Sequence, residues 1–158
     1  MIKLICVGKL KEDYLKAAVN EYSKRLSSYC RLQIIQVDDE KCSENASVKE
    51  EEAVRDKEAL KIIKNIKDTD YVITLEIKGK QYTSEGFAAL IEKLPLTGHS
   101  DITFVIGGSI GLGDAVLKRS DMALSFSEMT FPHQLMRVIL LEQLYRSYKI
   151  NKNEPYHK

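Results

Sequence analysis

The chain has 158 residues, 44% of them hydrophobic and 30% charged. That is enough for one buried core, too short for a two-domain enzyme, and unlike a disordered or fibrous chain. Its 24 basic and 23 acidic side chains leave a formal charge of +1, which excludes a protein that coats nucleic acid by charge alone. The excess is uneven: +4 over residues 1–37 and +3 over 137–158, against −4 over 38–70 and −2 over 71–136. If both termini fold onto one face they form a modest positive surface; the bland alternative is solvated charge on helix faces.

No apolar run approaches the roughly 18 residues of a membrane span, and the opening MIKLICVGKLKEDY has no small-residue cleavage site. Cys6, Cys30 and Cys42 are odd in number and lack C-x-x-C spacing, so neither a disulfide framework nor a zinc site is expected. The expectation is a single domain over residues 1–158 in the reducing cytoplasm, without membrane or metal.

In chain order, Ile2 to Val7 reads as a strand ending at Gly8. Leu15, Ala18, Val19, Tyr22 and Leu26 then recur at helical spacing. Leu32 to Val37 is a second strand, followed by the polar loop DDEKCSENAS. Ser47 with Glu50 forms a capping box, opening a helix whose apolar face is Ala59, Ile62, Ile63 and Ile66. Tyr71 to Ile77 is a third strand, expected to stop at a Lys78-Gly79-Lys80 turn. Ser84 is expected to cap a helix carrying Phe87, Leu90, Ile91 and Leu94, and Asp101 to Ile106 is a β-branched fourth strand. GGSIGLG follows, then a short helix from about Asp114, a fifth strand from Met122 to Phe126, and a long helix opened by Pro132 and running to about Tyr148.

Nine of the fourteen residues from 135 to 148 are apolar, too many for a helix with one wet face. It must bury more than one side, in the core or against a second copy, so a homodimer follows as an expectation. Strands alternating with helices define an α/β fold with a mostly parallel sheet covered by helices on both faces. Ligands in such sheets bind at strand carboxyl ends, here the loops after Val7, Ile77, Ile106 and Phe126.

Two of those loops are candidates for chemistry. Gly107, Gly108, Gly111 and Gly113 let the backbone approach a ligand closely. Neither a G-x-G-x-x-G fingerprint nor a Gly-Lys-Ser/Thr P-loop is present, which disfavours nicotinamide enzymes and NTPases. The alternative is a tight strand-to-helix turn. The run LSFSEMTFPH, Leu124 to His133, mixes small hydroxyls with apolar groups and suits an adenine slot; alternatively, Thr130 or Ser127 caps the next helix. His99 and His133 read as surface or packing residues, and Pro155-Tyr156-His157-Lys158 as a frayed end unless it folds back over a site. No G-x-S-x-G elbow or Cys–His pairing supports nucleophilic catalysis.

FVIGGSIGLG, LSFSEMTFPHQLMRVILLEQLYRSYKI and the closing NEPYHK together resemble the RlmH family, bacterial large-subunit rRNA pseudouridine N3-methyltransferases of the SPOUT superfamily. VGKLKEDY, TLEIKGK and the terminal YHK fit in the same order, so the resemblance covers essentially the whole chain. It implies a C-terminal deep trefoil knot (the α/β-knot), a homodimer, and S-adenosylmethionine (SAM) bound in the knot. It maps cofactor contacts to Leu75, Gly107 with Gly108, and Phe126, Ser127, Glu128, Met129, Thr130 and Phe131.

The implied reaction is displacement at the sulfonium methyl carbon by N3 of a pseudouridine in the helix 69 loop of 23S rRNA, on the assembled ribosome. Tyr156 and His157 are its candidate catalytic residues: His157 a candidate proton acceptor, Tyr156 a residue that orients or stacks on the base. Which group takes the proton stays open. Arg137 and Arg146 contact RNA phosphate or support the dimer, the structural role being at least as natural for Arg137 among its apolar neighbours. The competing reading is a non-catalytic cofactor-binding or ribosome-associated module of the same fold.

Overall fold

In the computed structural model, which describes residues 1–158, five strands and five helices alternate: β1 (Ile2–Val7), α1 (Asp13–Leu26), β2 (Leu32–Val37), α2 (Val48–Ile63), β3 (Tyr71–Gln81), α3 (Ser84–Leu96), β4 (Ile102–Ile106), α4 (Asp114–Arg119), β5 (Met122–Ser125) and α5 (His133–Asn151). The strands form one sheet in the order β2-β1-β4-β3-β5, and every pairing in it is parallel. Every residue of β1 and β4 is buried, so both read as mostly apolar runs rather than alternating ones; the exceptions, Lys3 and Thr103, both donate to the buried Asp70 carboxylate, at 2.8 and 2.9 Å.

The helices cover both faces. One core joins Leu4, Cys6, Ile73 and Phe104 of the sheet to Val19, Phe87, Ile91, Leu140 and Leu144 on α1, α3 and α5. A smaller one joins Ile5, Val7, Val72 and Val105 to Ala59, Ile62 and Val116 on α2 and α4. Cys6 lies inside the larger core, where burial pushes its thiol up to about 12 against the opposing pull of Arg137, so it packs as a small hydrophobe. No helix is long and apolar enough to cross a membrane.

Local chemistry explains the boundaries. The Ser47 side chain accepts from the Glu50 amide while Glu50 reaches back to the Ser47 amide, completing the capping box of α2. At α3 the cap lies one residue earlier than expected. Thr83 Oγ1 accepts from Gly86 N at 3.0 Å, and Ser84 Oγ donates to Gln143 Oε1 at 3.0 Å, tying α3 to α5.

The expected Lys78-Gly79-Lys80 turn is not a turn. β3 runs through it to Gln81, pairing Leu75 with Leu124, bulging, and then pairing Lys80 with the same Leu124. A Cβ on Gly79 would stand 2.7 Å from the Leu124 carbonyl carbon, so glycine is there for close backbone approach.

The α5 helix packs against both α1 and α3 and buries Arg137, Leu140, Leu141, Leu144 and Ser147. Its excess of apolar residues is therefore partly absorbed inside one chain. Leu135, at 36% exposure, remains outside.

Candidate active site

The sheet order sets β4, β3 and β5 side by side, and β3 together with the loops leaving β4 and β5 encloses a cavity of about 510 Å³, within the range of small-molecule sites. Its walls are Leu75, Glu76 and Ile77 from β3, Ile106 to Ser109 with Gly111 and Leu112 after β4, and the run 124–133 apart from Glu128, closed by Met136. Nine of the nineteen lining residues are hydrophobic, which suits a ligand with flat or aliphatic parts. The third and fourth loops named from sequence meet here. The end of β1 contributes no lining residue.

The glycine loop is both a tight turn and a wall of the cavity. Gly111 N donates to Gly108 O at 3.2 Å, and Gly111 sits at φ +87°, where a side chain would be strained. A Cβ on Gly107 would lie 2.9 Å from Gly111 O, and one on Gly113 only 2.6 Å from Arg55 O. The first closes the loop on itself; the second presses it onto α2.

The other wall folds on its own hydroxyls. Ser125 Oγ donates to Ser127 O at 3.0 Å, and Ser127 Oγ accepts from Met129 N at 3.0 Å. Neither Ser127 nor Thr130 caps α5, whose N-cap is Pro132 without a side-chain bond. Ser127 is spent holding the loop in shape.

Of the nine residues mapped as cofactor contacts, Leu75, Gly107, Gly108, Phe126, Ser127, Met129, Thr130 and Phe131 line the cavity. Glu128 does not. Met129 and Phe131 form its rim, 73% and 36% exposed.

Two ionisable residues are among the lining, Glu76 and His133; Glu76 is not singled out from sequence, and His133 only as the last residue of the run 124–133, read by itself as a surface or packing residue. The Glu76 carboxylate accepts from Thr74 Oγ1. His133 is held below its ordinary value by burial, then by the positive charges of Arg137 and Lys11, with Asp39 opposing. It therefore favours the neutral imidazole. A histidine in the first turn of a helix carries no signal that the cavity lies beside it.

Arg137 is buried at 1% exposure. Its NH2 donates to Val7 O and Gly8 O, both at 2.8 Å, while Nε and NH1 have no partner. It clasps the end of β1 inside the chain and is in no position to meet RNA phosphate. Arg146 is partly exposed and lies in a network with the tail.

That tail is docked, not frayed. Tyr156 OH donates to Glu142 Oε1 at 3.1 Å, and its ring stands edge-on to Tyr145 with centroids 4.9 Å apart. His157 places Nδ1 3.2 Å from Arg146 NH1 and Nε2 2.9 Å from Glu85 Oε1. Burial, with hydrogen bonds to Tyr22 and Glu142, raises the Tyr156 phenol, so it stays protonated. Neither Tyr156 nor His157 lines the cavity of its own chain.

Fold and site together define a parallel α/β protein with a small-molecule pocket at its strand carboxyl ends. The family described as "Predicted SPOUT methyltransferase" matches residues 1–157, and the chain belongs to it. Curated relatives named "Ribosomal RNA large subunit methyltransferase H" from Finegoldia magna and Clostridium acetobutylicum are 64% and 59% identical over 157 residues, covering 99% of each chain. A solved structure, the Legionella pneumophila protein Lpg2936 in complex with SAM, aligns at TM-score 0.49 and 12% identity over 95% of this chain and 66% of that one.

Proposed function

We propose that this chain transfers a methyl group from SAM to N3 of a pseudouridine in the helix 69 loop of 23S rRNA, acting on the assembled ribosome as a cytoplasmic homodimer. The proposal takes residues 1–158 as one domain whose C-terminal half carries the deep trefoil. The observation that carries the reading is the convergence of β3 and the loops after β4 and β5 on one cavity whose walls hold eight of the nine residues mapped as cofactor contacts. Full-length relatives named rRNA large-subunit methyltransferases support the RNA substrate.

The cavity fits SAM by its chemistry. Leu75, Phe126 and Phe131 offer apolar surfaces for the adenine, and the glycine loop offers main-chain groups that no side chain obstructs. When bound, SAM supplies an electrophilic methyl group on a sulfonium that leaves as a neutral thioether. The protein then has to align N3 with that carbon and accommodate loss of the imide proton. Tyr156 and His157, ordered at the end of α5 away from their own cavity, are suited to complete the site of a second protomer. Arg146 holds them there. A charge of +1 gives little long-range attraction to naked RNA, in keeping with recognition of an assembled particle by shape.

The test is a truncation ending at Glu154, compared with the full chain for SAM binding by calorimetry and for methyl transfer to ribosomes lacking the modification. The proposal predicts retained binding and lost transfer. Retained transfer would remove Tyr156 and His157 from the reaction. Binding by the full chain without transfer would favour the non-catalytic module.

A further inference from the structure

The two ring nitrogens of His157 are both engaged, and their partners differ in what they can do. Arg146 NH1, 3.2 Å from Nδ1, belongs to a guanidinium, which has five N–H donors and no acceptor. Nδ1 must therefore present its lone pair. A neutral imidazole has one N–H, which then resides on Nε2 and donates to Glu85 Oε1 at 2.9 Å. An imidazolium would set an Nδ1–H against the N–H of Arg146.

The rest of the tail is held by the same groups. Arg146 NH2 donates to Glu142 Oε1, the oxygen that also accepts from Tyr156 OH, and the guanidinium carbon stands 4.8 Å from the Tyr156 ring centroid. One arginine and two carboxylates, drawn from α3 and α5, thus fix both tail side chains. As docked, no basic nitrogen of the tail has a free lone pair, and Tyr156 is a donor whose proton is already committed.

We propose that Glu85 and Arg146 are positioning residues that lock His157 as the neutral Nε2–H tautomer, so that the tail shapes and holds the substrate site and does not take the imide proton. This rests on the reading that the tail belongs to the active site, and it resolves the open role of His157 against proton acceptance. The N3 proton leaves to solvent water, while the N3 lone pair forms the new N–C bond and the methyl–sulfur bond of the sulfonium donor breaks. Glu85 lies 72 residues from His157 in sequence. No local motif announces the pair.

The test is the full-length protein labelled with 15N in its histidines, read at neutral pH by the two-bond proton–nitrogen correlations that distinguish the two tautomers and the imidazolium. His157→Gln assigns the signal by its loss. The expected result is Nε2–H for His157 in the wild type, and loss of that single state in Arg146→Leu. An Nδ1–H tautomer or an imidazolium in the wild type overturns the proposal.

Turnover gives a second reading. Gln at 157 places an amide N–H where Nε2–H stands, so His157→Gln should keep kcat within about tenfold of wild type, the worth of roughly one hydrogen bond. If His157 were the base, His157→Gln would lose about a hundredfold or more and match His157→Ala. Glu85→Gln, which still accepts from Nε2–H, should restore most of what Glu85→Ala loses. Equal losses in the two would point to a charge role and overturn the proposal. If the wild type transfers no methyl group at all, the functional reading fails and the tautomer spectrum decides the positioning claim alone.

Discussion

A guanidinium buried among apolar neighbours, bonded only to the Val7 and Gly8 carbonyls and left with two unpartnered nitrogens, is costly to keep and costlier to remove. Truncating Arg137 strips both carbonyls of their donor and leaves a void beside Cys6. Arg137→Ala is therefore expected to lower stability by about 3 kcal/mol, measured by urea unfolding, with Arg137→Lys in between. An effect below about 0.5 kcal/mol, the level of an ordinary surface substitution, would mean that the clasp contributes nothing.

His133 makes a pH prediction. Its folded value lies below the ordinary one because burial and Arg137 disfavour the imidazolium, so the unfolded chain takes the proton first as pH falls. This contribution to stability is complete above about 6.5 and is lost as pH drops through the folded value. The melting temperature of His133→Gln should therefore fall less than that of the wild type between pH 7.5 and 5.5. A steeper fall in the variant would contradict the assignment.

Among the elements, the buried parallel strands were the most legible, because β-branched apolar runs between polar helices have few other readings. The capping box at Ser47 was equally plain, since both of its residues lie within one helical turn. The course of β3 was not. Lys78-Gly79-Lys80 has the composition of a turn, and only the neighbouring β5 backbone, 2.7 Å from where a Cβ would stand, shows why glycine is needed.

Gly79→Ala is accordingly expected to push β3 from β5 and destabilise the chain by about 2 kcal/mol. SAM affinity should fall with it, because Leu75 and Leu124 at that pairing both line the cavity. Wild-type melting and affinity in Gly79→Ala would show that the bulge tolerates a methyl group. The site was half legible for a related reason. Glycines after β4 and hydroxyls after β5 could be flagged from composition, but their meeting at one cavity depends on a strand order that no local pattern encodes. The structural role of Arg137 could be weighed from its apolar neighbours, and His133 fell in the run read as a possible slot, but their partners across the fold could not be named.

For the whole molecule, the two basic ends identified from sequence do come together. Arg25 of α1 stacks over Tyr22 and Tyr145, and Lys149 and Lys152 of α5 flank Tyr29. The tail closes over the same end of α5 through Tyr156 and Arg146, so the C-terminus is part of the fold and not a loose strand. Met129 and Phe131 at the rim of the cavity, and Leu135 on α5, stay exposed in one chain.

The proposed reaction is tested most directly by transfer of labelled methyl from SAM to ribosomes lacking the modification, with naked 23S rRNA in parallel and the product nucleoside identified. The expected result is N3-methylpseudouridine on ribosomes and little or no label on naked RNA. Label on a different nucleoside, or SAM binding with no label on either substrate, would contradict it.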